Sequence, residues 1–220
     1  GKIAWYENNG SESFNIHYIT TNAIAARSVF AIDLDQDGDI DVLSASGDED
    51  LINWYENDGS QNFTYFAGNI SYGANGAYSV YAIDLDQDGD IDVLSSSAND
   101  DKIAWYENDG AADPSFTTNI ITTNADQTHS VFAIDIDRDG DIDVLSSSFG
   151  NDNINWYKND GSESFTSYTI TTTADGVHDA KAVDLDSDGD IDIIFASEID
   201  DKIGWYENNG SESFTAHDIT

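Results

Sequence analysis

The sequence contains no cysteine and only seven lysine and arginine residues among its 220 residues. Without cysteine, no disulfide framework can stabilise the fold. With 44 aspartate and glutamate residues the formal net charge is −37, so nucleic acid and anionic membrane surfaces are repelled rather than bound. There is also no run of about 18 apolar residues, and the sequence therefore predicts no membrane span.

Recognisable catalytic motifs are missing as well. The sequence has no G-x-S-x-G, no H-E-x-x-H and no glycine-rich phosphate loop. Apart from one pair, the histidines stand at unrelated places in the chain; they are His17, His129, His178 and His217. Because a metal explains most of the clustered carboxylates, the sequence predicts that the protein is not an enzyme.

What the chain has instead is a repeated acidic motif of nine residues. Acidic chains are often disordered, but 39% hydrophobic and 12% aromatic residues indicate a folded protein. Like charges this close repel by on the order of 1 kcal/mol per pair even in water, so a cation must lie among them. The four copies of D-[LI]-D-x-D-G-D-I-D are Asp33–Asp41, Asp84–Asp92, Asp135–Asp143 and Asp184–Asp192.

Calcium is the cation that this motif predicts, because carboxylates at alternate positions supply oxygen ligands and the glycine at position 6 permits the positive φ of a sharp bend. Positions 1, 3, 5 and 9 are predicted to bind through side chains, and position 7 through its backbone carbonyl. One ion per complete repeat gives four calcium ions. The predicted metal-site residues are Asp33, Asp35, Asp37, Asp39, Asp41, Asp84, Asp86, Asp88, Asp90, Asp92, Asp135, Asp137, Asp139, Asp141, Asp143, Asp184, Asp186, Asp188, Asp190 and Asp192.

Two other interpretations of the motif fit the sequence less well. An EF-hand needs a glutamate at position 12 and flanking helices, whereas this position holds Ser44, Ser95, Ser146 and Phe195, and the flanks are short and β-rich. A solvated acidic loop without metal does not explain four copies at regular spacing.

A second motif, W-Y-[EK]-N-[ND]-G, marks the repeat at intervals of 49, 51, 51 and 49 residues. Each complete unit contains four strand-like segments. The Asn-Gly and Asp-Gly pairs before the fourth segment predict a tight type I′ hairpin. Four antiparallel strands per unit of roughly 50 residues is the size of a β-propeller blade, and stacked blades would bury the Trp-Tyr pair on both faces.

The predicted fold is therefore an all-β repeat of propeller-type, four-stranded antiparallel blades. Residues 1–20 supply only the third and fourth strands of a blade, and four full units follow. An unpaired half-unit suggests a piece of a longer array or pairing with another copy. The predicted divisions are 1–20, 21–70, 71–122, 123–173 and 174–220.

The motif D-x-D-x-D-G-x-x-D between two strands resembles the FG-GAP/VCBS repeat family, which includes integrin α-chain propellers, fungal propeller lectins and bacterial secreted propellers. The resemblance covers the whole chain and implies calcium-binding blades. The Phe-Gly and Gly-Ala-Pro elements of the first group are missing, so the bacterial VCBS-like branch is the closer match. Binding of integrin-type partners is not implied.

Positions at which the repeats differ are the candidates for ligand binding. The segment before each first strand varies most, and Arg27, Tyr78, His129 and His178 occupy its equivalent positions. An aromatic ring beside Asn and Asp suits a sugar, through stacking and hydrogen bonds. The competing interpretation is a surface loop that tolerates change.

Calcium sites of this kind fill reliably only where calcium is abundant, which predicts an extracellular or cell-surface location. The predicted function is a non-catalytic calcium-binding scaffold for adhesion or ligand binding, with a glycan or an extracellular protein as partner. The alternative is a structural unit of an extracellular filament, assembled head to tail from further copies of the chain.

Overall fold

The computed structural model describes residues 1–66 and 70–220, which form β-strands and no helix. Accordingly, no described segment is a helix with the length and apolarity that crossing a membrane requires. The strands are β1 (Ile3–Asn8), β2 (Phe14–Thr20), β3 (Ala26–Ile32), β4 (Asp41–Ser46), β5 (Leu51–Asn57), β6 (Phe63–Tyr65), β7 (Ala77–Ile83), β8 (Asp92–Ser97), β9 (Lys102–Asn108), β10 (Phe116–Thr122), β11 (Thr128–Ile134), β12 (Asp143–Ser148), β13 (Asn153–Asn159), β14 (Phe165–Thr171), β15 (Val177–Val183), β16 (Asp192–Ser197), β17 (Lys202–Asn208) and β18 (Phe214–Asp218).

The strands form one two-stranded sheet, β1-β2, followed by four sheets of four strands each in chain order. All pairings are antiparallel. We call the four-stranded sheets blades 1 to 4. The predicted fold class is thus confirmed, half-unit included.

The blades stack through their first strands, with β3 beside β7, β7 beside β11, and β11 beside β15. Because successive side chains of a strand point to opposite faces, the Trp-Tyr pair serves two interfaces. Trp54 packs with Leu43 toward blade 2, where Val80 and Tyr106 complete the same core cluster. Trp54 is 1% exposed, so the inter-blade space is a closed apolar core.

The connection to each fourth strand differs from the predicted two-residue type I′ turn. The Asn9 amide donates to the Ser13 carbonyl at 3.0 Å, so a longer loop joins β1 to β2. Gly10 and Glu12 both have positive φ within it, at 76° and 58°. The side chains of Asn8 and Asn9 accept hydrogen bonds from the next turn amides, which stabilises this wider loop over the tight hairpin.

Candidate metal centres

Each acidic loop connects the first strand of a blade to the second. We call these four segments the metal loops and number them as their blades, so that loop 1 is Asp33–Asp41 and loop 4 is Asp184–Asp192. In blade 1 the chain leaves β3 at Ile32 and enters β4 at Asp41. Two residues of this loop are left-handed, Gln36 with φ 58° and Gly38 with φ 101°. Only the glycine adopts such an angle without steric cost, and the two bends together curl the backbone so that alternate carboxylates converge. The other three loops repeat both bends.

In every loop three carboxylates lie close enough to share one cation. One oxygen from each member lies within 4.8 Å of the others. In loop 1 the members come from positions 1, 3 and 5, and in the other loops from positions 1, 3 and 9. The four groups are Asp33, Asp35 and Asp37; Asp84, Asp86 and Asp92; Asp135, Asp137 and Asp143; and Asp184, Asp186 and Asp192.

The carboxylate at position 1 carries the clearest sign that an ion belongs in the loop. Asp33 Oδ2 accepts the Gly38 amide at 3.0 Å, but Asp33 Oδ1 is buried and has no hydrogen-bond donor. The same oxygen lacks a donor in all four loops, at Asp84, Asp135 and Asp184. A buried carboxylate oxygen without a donor is costly, and a cation removes that cost. The loops therefore fit a calcium ion bound by oxygen ligands.

In loop 1, positions 3 and 5 each use one oxygen to shape the loop and leave the other available. Asp35 Oδ1 accepts the Asp37 amide at 3.3 Å, and Asp37 Oδ1 accepts the Asp39 amide at 2.9 Å. Burial first, and then the negative charge of Asp37, raises the pKa of Asp35. The charged loop is thus preorganised by its backbone but left electrostatically uncompensated.

Position 9 is the most buried carboxylate of each loop. Asp92 is 1% exposed, and its two oxygens accept the amides of Asn108 at 2.9 Å and Leu85 at 3.0 Å. Burial raises the pKa of Asp92 to about 7 despite these hydrogen bonds, and it raises the pKa values of Asp41 and Asp143 to about 6. In the absence of a cation, ionising these groups is therefore expensive.

The side chain at position 7 lies outside the carboxylate group. A Cβ atom on Gly59 would lie 2.4 Å from Asp39 Oδ2, so the Asp39 carboxylate packs directly on the turn that follows β5. The same contact recurs in the other blades, between Gly110 and Asp90, for example. This position leaves the backbone carbonyl of Asp39 as its available ligand, which remains a prediction.

The asparagine of W-Y-[EK]-N was not identified as a site residue from the sequence. Asn57 Nδ2 donates to the Ile40 carbonyl at 3.0 Å, and Asn57 Oδ1 accepts the Gly59 amide at 3.3 Å. Asn108, Asn159 and Asn208 make the same pair of bonds in their blades. This residue clamps the metal loop to the neighbouring turn, and its presence in every copy of the motif was the available signal.

The metal loops are also connected from blade to blade through position 4. Gln36 Nε2 donates to the Gly89 carbonyl in loop 2, and Gln87 Nε2 donates to the Gly140 carbonyl in loop 3, both at 2.5 Å. Arg138 continues the series with an ion pair to Asp190 at 3.5 Å. The four loops therefore lie on one side of the array as a linked row.

The variable positions gather at the other end of the same first strands. Arg27, Tyr78, His129 and His178 are each the second residue of β3, β7, β11 and β15. The Arg27 guanidinium lies 4.7 Å from the Tyr78 ring centroid, Tyr78 stacks on His129 at 3.8 Å, and the His129 and His178 rings are 4.7 Å apart. The structure thus brings the four predicted residues together in one row, here called the column.

Two residues of this region were not predicted from the sequence. The Phe149 ring packs on His129 at 4.9 Å, and Glu198 Oε2 accepts a hydrogen bond from His178 Nε2 at 2.7 Å. Both follow the second strand of their blade, where the repeats carry Gly47, Ala98, Phe149 and Glu198. Variation at this equivalent position was the signal that could have revealed them.

The column is held mainly by its own rings. His129 Nδ1 and His178 Nδ1 are 3.2 Å apart and share one hydrogen bond. Burial first, followed by the charges of His178 and Arg27, lowers the pKa of His129 to about 4, so this ring is neutral at physiological pH. Since stacked neighbours cover the ring faces, the column presents its ring edges and the exposed Arg27 and Glu198 side chains to solvent.

Comparison with known proteins gives a family match and a set of structural neighbours. A model of the FG-GAP-like repeat matches four overlapping segments, residues 1–44, 33–95, 84–146 and 135–195. No curated protein matches the sequence.

Three solved structures illustrate the structural likeness. A protein from Lactobacillus plantarum is 14% identical, with a TM-score of 0.67, over 96% of this chain and 60% of its own. The biofilm matrix protein Bap1 from V. cholerae is 17% identical, with a TM-score of 0.57, over 97% of this chain and 38% of its own. The fucose-specific lectin from Aleuria aurantia is 14% identical, with a TM-score of 0.54, over 88% of this chain and 63% of its own. The chain spans less than two thirds of each, and likeness at this identity shows the fold alone.

Proposed function

The chain belongs to the FG-GAP-like repeat family, and from this membership and the loop geometry we propose that it is a calcium-binding scaffold without catalytic activity. The donorless, buried oxygen of Asp33, repeated in all four loops, is the observation that carries the proposal. In the first loop, the ion would be held by Asp33, Asp35, Asp37 and Asp41, with the backbone carbonyl of Asp39. The other loops would use their counterparts.

Bound calcium would supply two positive charges to each loop, and the chain would supply the oxygen ligands and hold them in place. Asn57 and Asp41 fix the loop to the end of β5, while Gln36 connects it to the next loop. Filling the loops therefore stabilises both the blade and its contact with the neighbouring blade. The role of calcium here is structural.

Metal analysis and titration calorimetry test this proposal. We expect purified protein to carry calcium and the calcium-depleted protein to bind up to four ions. Magnesium is the control, because it demands tight octahedral geometry that a flexible aspartate loop satisfies poorly. If none of the four loops bound calcium, the proposal would be overturned.

We further propose that the scaffold acts outside the cell and presents the column to a glycan or an extracellular protein. Support comes from the gathering of all four variable residues in one row, and from a lectin and a matrix protein among the structural neighbours. A glycan array in saturating calcium tests it, with R27A and E198A as variants. Retention of a sugar by the wild type and its loss in these variants would support the proposal, and no retained sugar would remove the glycan part of it.

Head-to-tail filament assembly is the alternative, favoured by apolar side chains on the two outer faces of the array. Tyr6 is 62% exposed whereas its counterpart Tyr55 is 4% exposed, and Leu185 is 42% exposed whereas Leu85 is 1% exposed. The face with Tyr6 and the face with Leu185 are thus equivalent to the two surfaces that pack against each other between neighbouring blades. Rods in electron micrographs would favour assembly, and a monodisperse particle in light scattering would favour the binding module.

A further inference from the structure

The four metal loops are not electrostatically equivalent. The residue after Trp-Tyr in the repeated motif is a glutamate at Glu7, Glu56, Glu107 and Glu207, but a lysine at Lys158. In blades 1, 2 and 4 this position therefore adds a negative charge to the blade that carries the loop. In blade 3 it adds a positive charge instead.

The lysine side chain enters the third loop directly. Lys158 Nζ forms an ion pair with Asp137 Oδ2, lies 3.6 Å from Asp139 Oδ2, and lies 3.1 Å from Glu212 Oε1 of the next blade. Asp137 is position 3 of the loop and belongs to the carboxylate group with Asp135 and Asp143. Its side chain is 8% exposed, and the ammonium lies in direct contact with a carboxylate that calcium would need.

The glutamates act in the opposite direction. Burial first, and then the charges of Asp35 and Asp37, raises the pKa of Glu56, so that glutamate lies within electrostatic reach of loop 1. In blade 2, Glu107 is among the negative charges that, after burial, raise the pKa of Asp86. In contrast, the hydrogen bonds that Lys158 donates to Asp137 and Glu212 raise the pKa of Lys158 and hold it charged.

We infer that loop 3 is the weakest of the four calcium sites, and that Lys158 is a tethered cation that offsets part of the negative charge of this loop when calcium is scarce. The inference rests on the proposed calcium function. Calcium entering loop 3 must displace the ammonium from Asp137 and then remain near a positive charge. Among the described residues, no lysine or arginine is paired with the carboxylate groups of loops 1, 2 and 4, where a nearby glutamate adds attraction instead. Arg138 reaches loop 4 only at Asp190, which lies outside its carboxylate group. Blade 3 is consequently the part of the array that depends least on calcium.

Calcium titration followed by NMR measures the sites one by one. The position-6 amides of Gly38, Gly89, Gly140 and Gly189 provide one probe in each loop. We expect Gly140 to respond at a calcium concentration at least about tenfold higher than the other three, given the charge difference at short range. The variant K158E should bring Gly140 into line with them, and the neutral K158Q should lie between.

The matched control is E107K, which places a lysine at the equivalent position of blade 2. It should weaken the response of Gly89 by a similar factor and leave Gly38 and Gly189 unchanged. Hydrogen exchange without calcium gives a second readout: wild-type blade 3 should retain more protection than blades 1, 2 and 4, and K158Q should lose that advantage. If K158E does not fold, K158Q and E107K still test whether a lysine at this position weakens calcium binding in the adjacent loop.

These experiments distinguish failure of the Lys158 inference from failure of the proposed calcium function. Four equal affinities in the wild type, or no change at Gly140 in K158Q, would overturn the inference while leaving the calcium scaffold intact. No calcium response at any of the four glycines would overturn the proposed function itself.

Discussion

The two ends of the first strands differ in what they keep constant. The metal loops follow β3, β7, β11 and β15 and repeat one motif four times, whereas the column lies at the start of the same strands and changes from arginine to tyrosine to histidine. A seven-residue strand separates the two regions by about 20 Å. The loop end of the strands is therefore the same in every blade, and the column end differs from blade to blade.

The difference also extends to how charge is handled. Apart from the Lys158 contact in loop 3, the loops concentrate carboxylates that need an external cation, as the donorless Asp33 oxygen indicates. The column compensates itself, through Arg27 on Tyr78 and Glu198 on His178. Perturbing the loops should thus change the stability of the whole array, and perturbing the column should change recognition with little effect on the fold.

Removing calcium should give the largest effect. Each filled site contributes about 2.7 kcal/mol at a calcium concentration one hundred times its Kd, so emptying several sites should lower the melting temperature by more than about 15 °C. Calorimetry with calcium and with excess chelator measures this change. The column variant R27A serves as control and should melt as the wild type does in calcium. A melting temperature that does not change with chelator would contradict the proposed difference between the metal loops and the column.

Within one loop, positions 9 and 7 should respond very differently to the same change. D92N removes the charge of a carboxylate that is buried and accepts two backbone amides, and it should cost about 2–4 kcal/mol in the free energy of unfolding. D90N changes a side chain that packs on Gly110 outside the carboxylate group, and it should cost less than about 0.5 kcal/mol. Urea unfolding in saturating calcium compares them, and equal costs would contradict the ligand geometry.

Acidification should affect the column through His129. The folded-state pKa of about 4 lies below the ordinary value of 6.5, so the stability contributed by the neutral ring is present above pH 6.5 and lost as pH falls toward 4. With the ring half-buried, we expect a loss of about 1 kcal/mol.

The measurement is urea unfolding in saturating calcium at pH 7 and pH 5, comparing wild type with H129F. The variant keeps an aromatic ring against Tyr78 but cannot be protonated. Its pH dependence should therefore be smaller than that of the wild type. The same slope in both proteins would show that the acid response originates elsewhere, the metal loops included.

The smallest effect is expected at the link between loops. Q87A removes the hydrogen bond from Gln87 to the Gly140 carbonyl, on the protein surface, and should cost about 0.5 kcal/mol. It should nevertheless change the calcium response of loop 3 while leaving loop 1 unaffected, because the lost bond joins loops 2 and 3, and loop 1 is linked to loop 2 by the separate bond of Gln36. The Gly140 and Gly38 amides report this difference. A matching change at Gly38 would indicate coupling through the whole array instead.

Much of the loop geometry was predictable because it is local. Spacing placed the carboxylates at alternate positions, and Gly38 marked the bend. The hairpin was mispredicted because the Asn-Gly pair favours a two-residue turn only when no side chain competes, and here the Asn8 and Asn9 side chains accept turn amides and widen the loop. The contribution of Asn57 was visible in the repeat, but its bond to the Ile40 carbonyl needs the pairing of β4 with β5.

By itself, the sequence determined the all-β blades, the repeat length and the carboxylate positions, because hydrophobic alternation, turn residues and charge repulsion act over a few neighbouring residues. Only the tertiary structure decided which distant side chains meet. Stacking the blades brought Arg27, Tyr78, His129 and His178 into one row, left Leu185 exposed, and placed Glu212 of blade 4 on the lysine that enters loop 3. Such contacts join residues some 50 positions apart, and no local pattern specifies them.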